Sequence, residues 1–167
     1  FATFSGHKFH GVRGVGFVFI KYGKKITPLL TGGGQERDYR STTENVAGIA
    51  ATAKALRLSM EKLDIFTSKT GQMKAVIRQA LRDYPDIFVF SDEEDFAPHI
   101  LTFGIKGVRG EVIVHAFEDY DIFISTTSAC SSKAGKPAGT LIAMGVDKDK
   151  AQSAVRLSLD LENDMSQ

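Results

Sequence analysis

The chain has 167 residues, 43% of them hydrophobic and 25% charged, with a formal net charge of +1. That is the composition of a soluble globular protein long enough to bury a core, holding one domain, or one and part of another, at roughly 100–200 residues each. Near-neutral charge without blocks of like sign argues against a dedicated nucleic-acid or acidic-membrane binder, and no apolar run approaches the ~20 residues of a membrane span.

Residues 1–45 read as strands and loops. The run begins at Phe1, without a methionine, in what reads as the middle of a strand, so a fragment or processed product is expected. "GVGFVFIKYG" is a β-rich stretch built on Val15, Phe17, Val18, Phe19 and Ile20 between glycines. A glycine-rich loop, "LLTGGGQERDYRSTTEN", follows. From about Thr43 the period becomes helical: Val46, Ile49, Ala53, Leu56, Met60 and Leu63 fall along one face, with Ser41, Thr42 and Thr43 offering N-cap hydroxyls and Glu44 suiting the first turn. The set Met73, Val76, Ile77, Ala80 and Leu81 predicts a second helix ending before Pro85. Then come a strand over 86–92, a strand over 98–105, a helix over 110–120 and a strand over 121–125. A short helix over 139–145, a helix start at Asp147 and a strand from Val155 complete the chain. Helices interleaved with short strands predict an α/β layer arrangement, with the composition change near 43–46 as the domain boundary.

Four short stretches carry candidate chemistry, each with a plainer alternative. In "SGHKFHG", residues 5–11, Lys8 stands at a strand end, where desolvation would make its amine nucleophilic; the plainer reading is a surface lysine in a turn. In "GGGQERDYRS", 32–41, glycine N–H groups with Arg37 and Arg40 would cradle an anion, although glycine runs also serve as connectors. "GVRGVG" has the wrong glycine order for a dinucleotide fingerprint. Cys130, the only cysteine, cannot form an internal disulfide, which points to a reducing, cytoplasmic setting. It lies in the polar loop "STTSACSSKAGKPAGT", with hydroxyls at Ser128, Ser131 and Ser132, and Lys133 nearby to favour the thiolate; the alternative is an incidental loop thiol. His115, the best thiol-partner candidate, sits in an apolar helical segment and reads as structural. No CxxC, HExxH or GxSxG motif is present to support a metal site or a hydrolase. In "AVRLSLD", 154–160, Arg156 and Ser158 share one side of a strand. A half-buried arginine there needs an anion, either an internal carboxylate or a substrate carboxylate.

The order "SGHKFHG", "GGGQERDYRSTTEN", "SACSSK", "RLS" resembles the C-terminal half of the cysteine desulfurases, pyridoxal-phosphate enzymes of the class V aminotransferase type. The resemblance runs from residue 5 to about 159. It implies the fold of a fold-type I enzyme: residues 1–45 as the end of its large cofactor domain, and 46–167 as its small C-terminal α/β domain. It implies Lys8 as the Schiff-base lysine, Ser5 and His7 as cofactor contacts with Ser5 at the phosphate, and Thr43 at the phosphate of the neighbouring subunit's cofactor in a homodimer. It further implies Cys130 as the nucleophile that removes sulfur from L-cysteine and carries it as a persulfide, and Arg156 as the clamp on the substrate carboxylate. Partners would be an iron–sulfur scaffold or a tRNA-thiolation enzyme, with neither metal, nucleic acid nor membrane bound directly. Thr42 and Asp160 stand where the family has glycines. The ring-stacking residue and the aspartate on the pyridine nitrogen belong to the preceding half of such enzymes, so this polypeptide alone is expected to be inactive. Selenocysteine lyase shares the scaffold. A non-catalytic module that dimerises or docks a sulfur acceptor, and a redox-sensing thiol protein, are the rivals from other classes.

Overall fold

The computed structural model describes residues 1–91, 96–126 and 139–165. In chain order the elements are β1 (Ala2–Ser5), a 3-10 turn (Gly6–Phe9), β2 (Gly16–Phe19), α1 (Val46–Glu61), α2 (Leu63–Arg82), β3 (Ile87–Val89), β4 (Ile100–Ile105), α3 (Gly110–Glu118), β5 (Ser125–Thr126), α4 (Gly139–Ala143), α5 (Lys148–Gln152) and β6 (Val155–Ser158). Contacts divide the chain into two compact units, Phe1–Leu63 and Asp64–Gln167. Packing within the chain thus parts at the junction of α1 and α2, and α1 itself begins at the composition change near 43–46. No helix among the described residues is long and apolar enough to cross a membrane.

In the first unit β1 and β2 form an antiparallel hairpin pairing Ala2 with Phe19 and Ser5 with Gly16. The opposed Phe4 and Phe17 stack at 4.7 Å between ring centroids. α1 differs from expectation in two ways. Its cap is Asn45, whose side-chain oxygen accepts from the Gly48 N–H at 3.0 Å, and not one of the hydroxyls at 41–43. Its buried face is Gly48, Thr52 and Ala55, while Val46 is 71% exposed and Ile49, Met60 and Leu63 are exposed too. The small side chains let the 3-10 turn approach the helix closely, and the apolar stripe lies off that contact. In the intervening loop, Glu36, Arg37 and Asp38 are successively left-handed (φ 51°, 57° and 66°), following Gly34 at φ 81°. The Asp38 N–H donates to the Gly34 carbonyl at 3.2 Å, which closes one turn of opposite hand to an α-helix.

The second unit is a four-stranded sheet in the order β3-β4-β6-β5, antiparallel throughout. Period-2 alternation sorts its two faces. Leu101, Phe103 and Val155 form the core face with Ile113 of α3, and Ile77 and Leu81 of α2 pack against them. On the opposite face Leu141, Ala151 and Ala154 bury against Phe90 and Val146. A Cβ on Gly104 would stand 2.2 Å from Ser153 Oγ, so β4 and the end of α5 meet where no side chain fits. α5 starts as expected, Asp147 accepting from the Asp149 N–H at 2.9 Å.

The strand expected over 121–125 is confined to Ser125–Thr126. α3 ends in a Schellman cap: the Ile122 N–H donates to the Phe117 carbonyl, the Asp121 N–H to the Glu118 carbonyl, and Asp121 takes φ 58°. Residues 121 and 122 thus complete a helix and cannot pair as a strand. α2 starts ten residues earlier than its apolar set suggests, at Leu63, with Lys62 alone between it and α1.

Candidate functional site

Lys8 lies on the 3-10 turn that joins the hairpin strands. The Gly6 N–H donates to the Val15 carbonyl and the Gly11 N–H to the Gly6 carbonyl, both at 2.9 Å. His10, left-handed at φ 66°, returns its N–H to the Gly6 carbonyl as well. Gly6 is buried against α1: a Cβ there would sit 2.9 Å from Thr52 Oγ1 and from the Val15 carbonyl. Ser59 Oγ donates to the Phe9 carbonyl at 3.4 Å and ties down the turn's last residue. A rigid turn therefore presents Lys8 and His7, both exposed. Nothing in this unit covers Lys8, so the desolvation considered for its amine is not supplied here. Ser5, just before the turn, is exposed and makes no side-chain cap bond. Thr43 is exposed two residues before the cap of α1. Arg37 and Arg40 of the expected anion cradle are exposed, and the loop's Asp38 and Tyr39 N–H groups are spent inside its own turn.

Arg156 lies in the second unit, on β6, directly opposite Thr102 of β4 and Ser125 of β5. It is half-buried, as its strand position predicts, and its buried Nε finds no hydrogen-bond partner among the described residues. An unpaired buried donor of a charged group costs on the order of 1–3 kcal/mol or more, so an arginine placed this way is suited to an anion from outside the fold. Cys130, with Ser128, Ser131, Ser132 and Lys133, lies outside the described residues. His115 is exposed on α3, its Nδ1 lying 2.9 Å from Glu118 Oε2. Among the described residues no cluster of His, Cys, Asp and Glu could hold a metal ion.

Two groups that the sequence did not single out are buried or half-buried. Lys74 is 6% exposed and donates to the Ala97 carbonyl at 3.0 Å; burial, and then the nearby Arg78, hold its ammonium below the usual lysine range. His99 packs on Phe66 at 5.1 Å, and its buried Nδ1 has no partner among the described residues. Burial lowers the His99 pKa; Asp160 works against that shift and Lys74 adds to it. Both residues join α2 to the start of β4 and serve the fold.

The residues present fit pyridoxal phosphate in one respect that the geometry tests. A lysine with no hydrogen bond or ion pair among the described residues stands on a turn packed too tightly to accept a Cβ at Gly6.

Comparison with known proteins places the chain among relatives of one family. The aminotransferase class-V family model matches residues 1–167. The chain is 49% identical over 166 residues to a NifS/IcsS protein homolog of Lactobacillus delbrueckii subsp. bulgaricus, covering 99% of this chain and 43% of that protein. It is 37% identical to a putative cysteine desulfurase of Bacillus subtilis, covering 98% of this chain and 44% of that one. Among solved structures, a NifS-like protein superposes with a TM-score of 0.81 at 34% identity, over 97% of this chain and 41% of the other. A NifS-like protein from Rickettsia africae gives 0.82 at 27% identity, over 98% of this chain and 43% of the other. The chain thus spans somewhat over two fifths of the length of the relatives it matches.

Proposed function

The chain belongs to the class-V aminotransferase family, and from that premise we propose that it is the lysine-bearing and small-domain part of a pyridoxal-phosphate-dependent cysteine desulfurase. On this reading residues 1–45 close the large cofactor domain and 46–167 form the small domain. One observation carries most of the weight: an unengaged lysine amine, in the segment Ser5-Gly6-His7-Lys8, on a turn fixed by Gly6 against α1.

Pyridoxal phosphate, when bound, supplies an aldehyde that condenses with amines and a ring that draws electron density from the substrate α-carbon. Lys8 would hold the group through its Nζ, and the same amine would be the base that takes and returns a proton at the substrate α-carbon. Ser5 and His7, close to Lys8 in the chain, would bind the same group, and Thr43 would serve the phosphate of the second subunit's cofactor in a homodimer. Arg156 fixes the carboxylate of L-cysteine through its planar fork. The Cys130 thiolate attacks the substrate sulfur. An S–S bond forms as the substrate's C–S bond breaks, and that bond's electron pair stays with the three-carbon unit, which leaves as alanine after protonation. The persulfide on Cys130 then passes to an acceptor protein, of the iron–sulfur-scaffold or tRNA-thiolation kind.

The test is alanine and persulfide formation from L-cysteine by a polypeptide in which the family's preceding half is supplied in cis. Lys8→Ala is expected to abolish both products. Cys130→Ser is expected to abolish the persulfide. Alanine formation surviving Lys8→Ala would end the reading. Competition between cysteine and selenocysteine separates a desulfurase from a selenocysteine lyase, and capture of a sulfur acceptor without any alanine formation would favour a docking module.

A further inference from the structure

The geometry points to Thr102 and Ser125 as two further donors to the carboxylate that Arg156 holds, which makes the outer face of β4-β6-β5 a three-donor carboxylate subsite. This inference rests on the reading of Arg156 as the substrate clamp. The register places Thr102, Arg156 and Ser125 in one row across three adjacent strands. Side chains of directly opposed antiparallel residues share a face, with Cβ atoms roughly 4.5–5.5 Å apart. The row lies opposite the core face, because its neighbours Phe103 and Val155 are the ones buried against α3.

Three properties make the row a site and not a solvated sheet surface. All three residues are half-buried. Arg156 Nε is fully enclosed and, among the described residues, unpaired. Neither hydroxyl is engaged by a partner among the described residues; the hydrogen bonds of Thr102 run through its backbone, from its N–H to Ser91 Oγ and from the Phe90 N–H to its carbonyl, both at 2.8 Å. A guanidinium in one row with two hydroxyls offers donors and, among the described residues, no ion pair of its own. A carboxylate has about four lone-pair sites on two oxygens and can accept from all three at once. The subsite is also bounded at one end, since Phe90, bonded to Thr102, packs under Leu141, Ala151 and Ala154. Its other end, Ser125, lies five positions before Cys130 in the sequence. A small amino-acid carboxylate held here would therefore lie toward the β5 edge of the sheet.

The experiment uses the full 167-residue chain, labelled with 15N, and follows the side-chain Nε–H resonance of Arg156, identified by its loss in Arg156→Lys. The probes are L-alanine, L-alaninamide and inorganic phosphate. L-Alanine is expected to shift the resonance and alaninamide to leave it in place. Thr102→Val and Ser125→Ala should each raise the L-alanine midpoint about three- to tenfold, with Thr102→Ser close to wild type. An unchanged backbone amide spectrum shows that each variant is folded, and Ser125→Ala carries the test if Thr102→Val does not fold. Midpoints unmoved by both substitutions, with Arg156 still responding, would overturn the inference and leave the clamp standing. Phosphate binding tighter than L-alanine would overturn carboxylate selectivity. A resonance that ignores L-alanine would remove the clamp and the subsite together, while the desulfurase reading would still be judged by alanine formation and its loss in Lys8→Ala.

Discussion

Gly6→Ala is the most informative perturbation of the turn that carries Lys8. The added methyl would lie 2.9 Å from Thr52 Oγ1, 2.9 Å from the Val15 carbonyl and 3.1 Å from Thr52 Cγ2. Two of these approaches fall below any relaxed contact, and one neighbour is backbone that is itself bonded to the Gly6 N–H. Overpacking of this degree costs about 1–3 kcal/mol. If the cost falls on the turn, the Gly11 amide, which donates to the Gly6 carbonyl, should exchange its hydrogen about 5- to 150-fold faster while the amides of β4 keep their rates. Native-state hydrogen exchange by NMR reads this residue by residue, and borohydride trapping of Lys8 with pyridoxal phosphate should show altered labelling in the same variant. Two of the three short contacts are to Thr52, so the penalty should fall by about half in a Thr52→Ala background, giving a coupling of roughly 0.5–1.5 kcal/mol in a double-mutant cycle. Exchange at Gly11 within twofold of wild type, with no coupling to Thr52, would refute the view that this glycine packs the turn onto α1.

The second unit supplies three more predictions. Leu101, fully buried at the centre of the core, should lose about 2–5 kcal/mol on substitution by alanine, measured by the urea midpoint of the second unit. Asp121 holds the left-handed position that closes α3, so Asp121→Gly should stabilise by about 0.5–1 kcal/mol in the same assay, and a loss of stability would mean that the aspartate side chain has a role of its own. For His99 the folded pKa lies below the ordinary 6.5 because burial disfavours the imidazolium. Its contribution is therefore intact above about pH 6.5 and is lost progressively as the pH falls from there toward the folded value, since the unfolded chain then binds the proton more readily. His99→Gln should flatten that part of the pH profile of stability, and a profile identical to wild type would show that the ring is not the group responsible.

Much of the second unit was legible because its signals are local. Alternation in "ILTFGI" and "VRLS" marks β4 and β6, and Asp147 announces α5 through a cap that forms as read. The misreadings share a cause. The stripe of Val46, Ile49, Met60 and Leu63 has helical period, but α1 buries Gly48, Thr52 and Ala55, because contact with a backbone turn selects for small volume, which hydrophobic periodicity does not register. The strand expected at 121–125 was pre-empted by a helix cap built on aspartate, where sequence reasoning looks for glycine. At the candidate site, Lys8 and Arg156 were visible as residue types in motifs. Thr102 and Ser125 were not, since only the register sets them beside Arg156. Gly6 was visible as a glycine but not as the residue that packs the turn against Thr52.

The mirror-handed turn at Glu36–Asp38 bears on how this chain can change over generations. Three adjacent positions hold a backbone shape in which an L-residue gives up roughly 1–2 kcal/mol each, and in which branching at Cβ adds further crowding. Random replacement over these positions should therefore return mostly glycine, asparagine and aspartate, with valine, isoleucine and threonine almost absent, although all three side chains point into solvent. A surface loop of this kind is narrow in its permitted alphabet for reasons that no map of side-chain contacts would disclose.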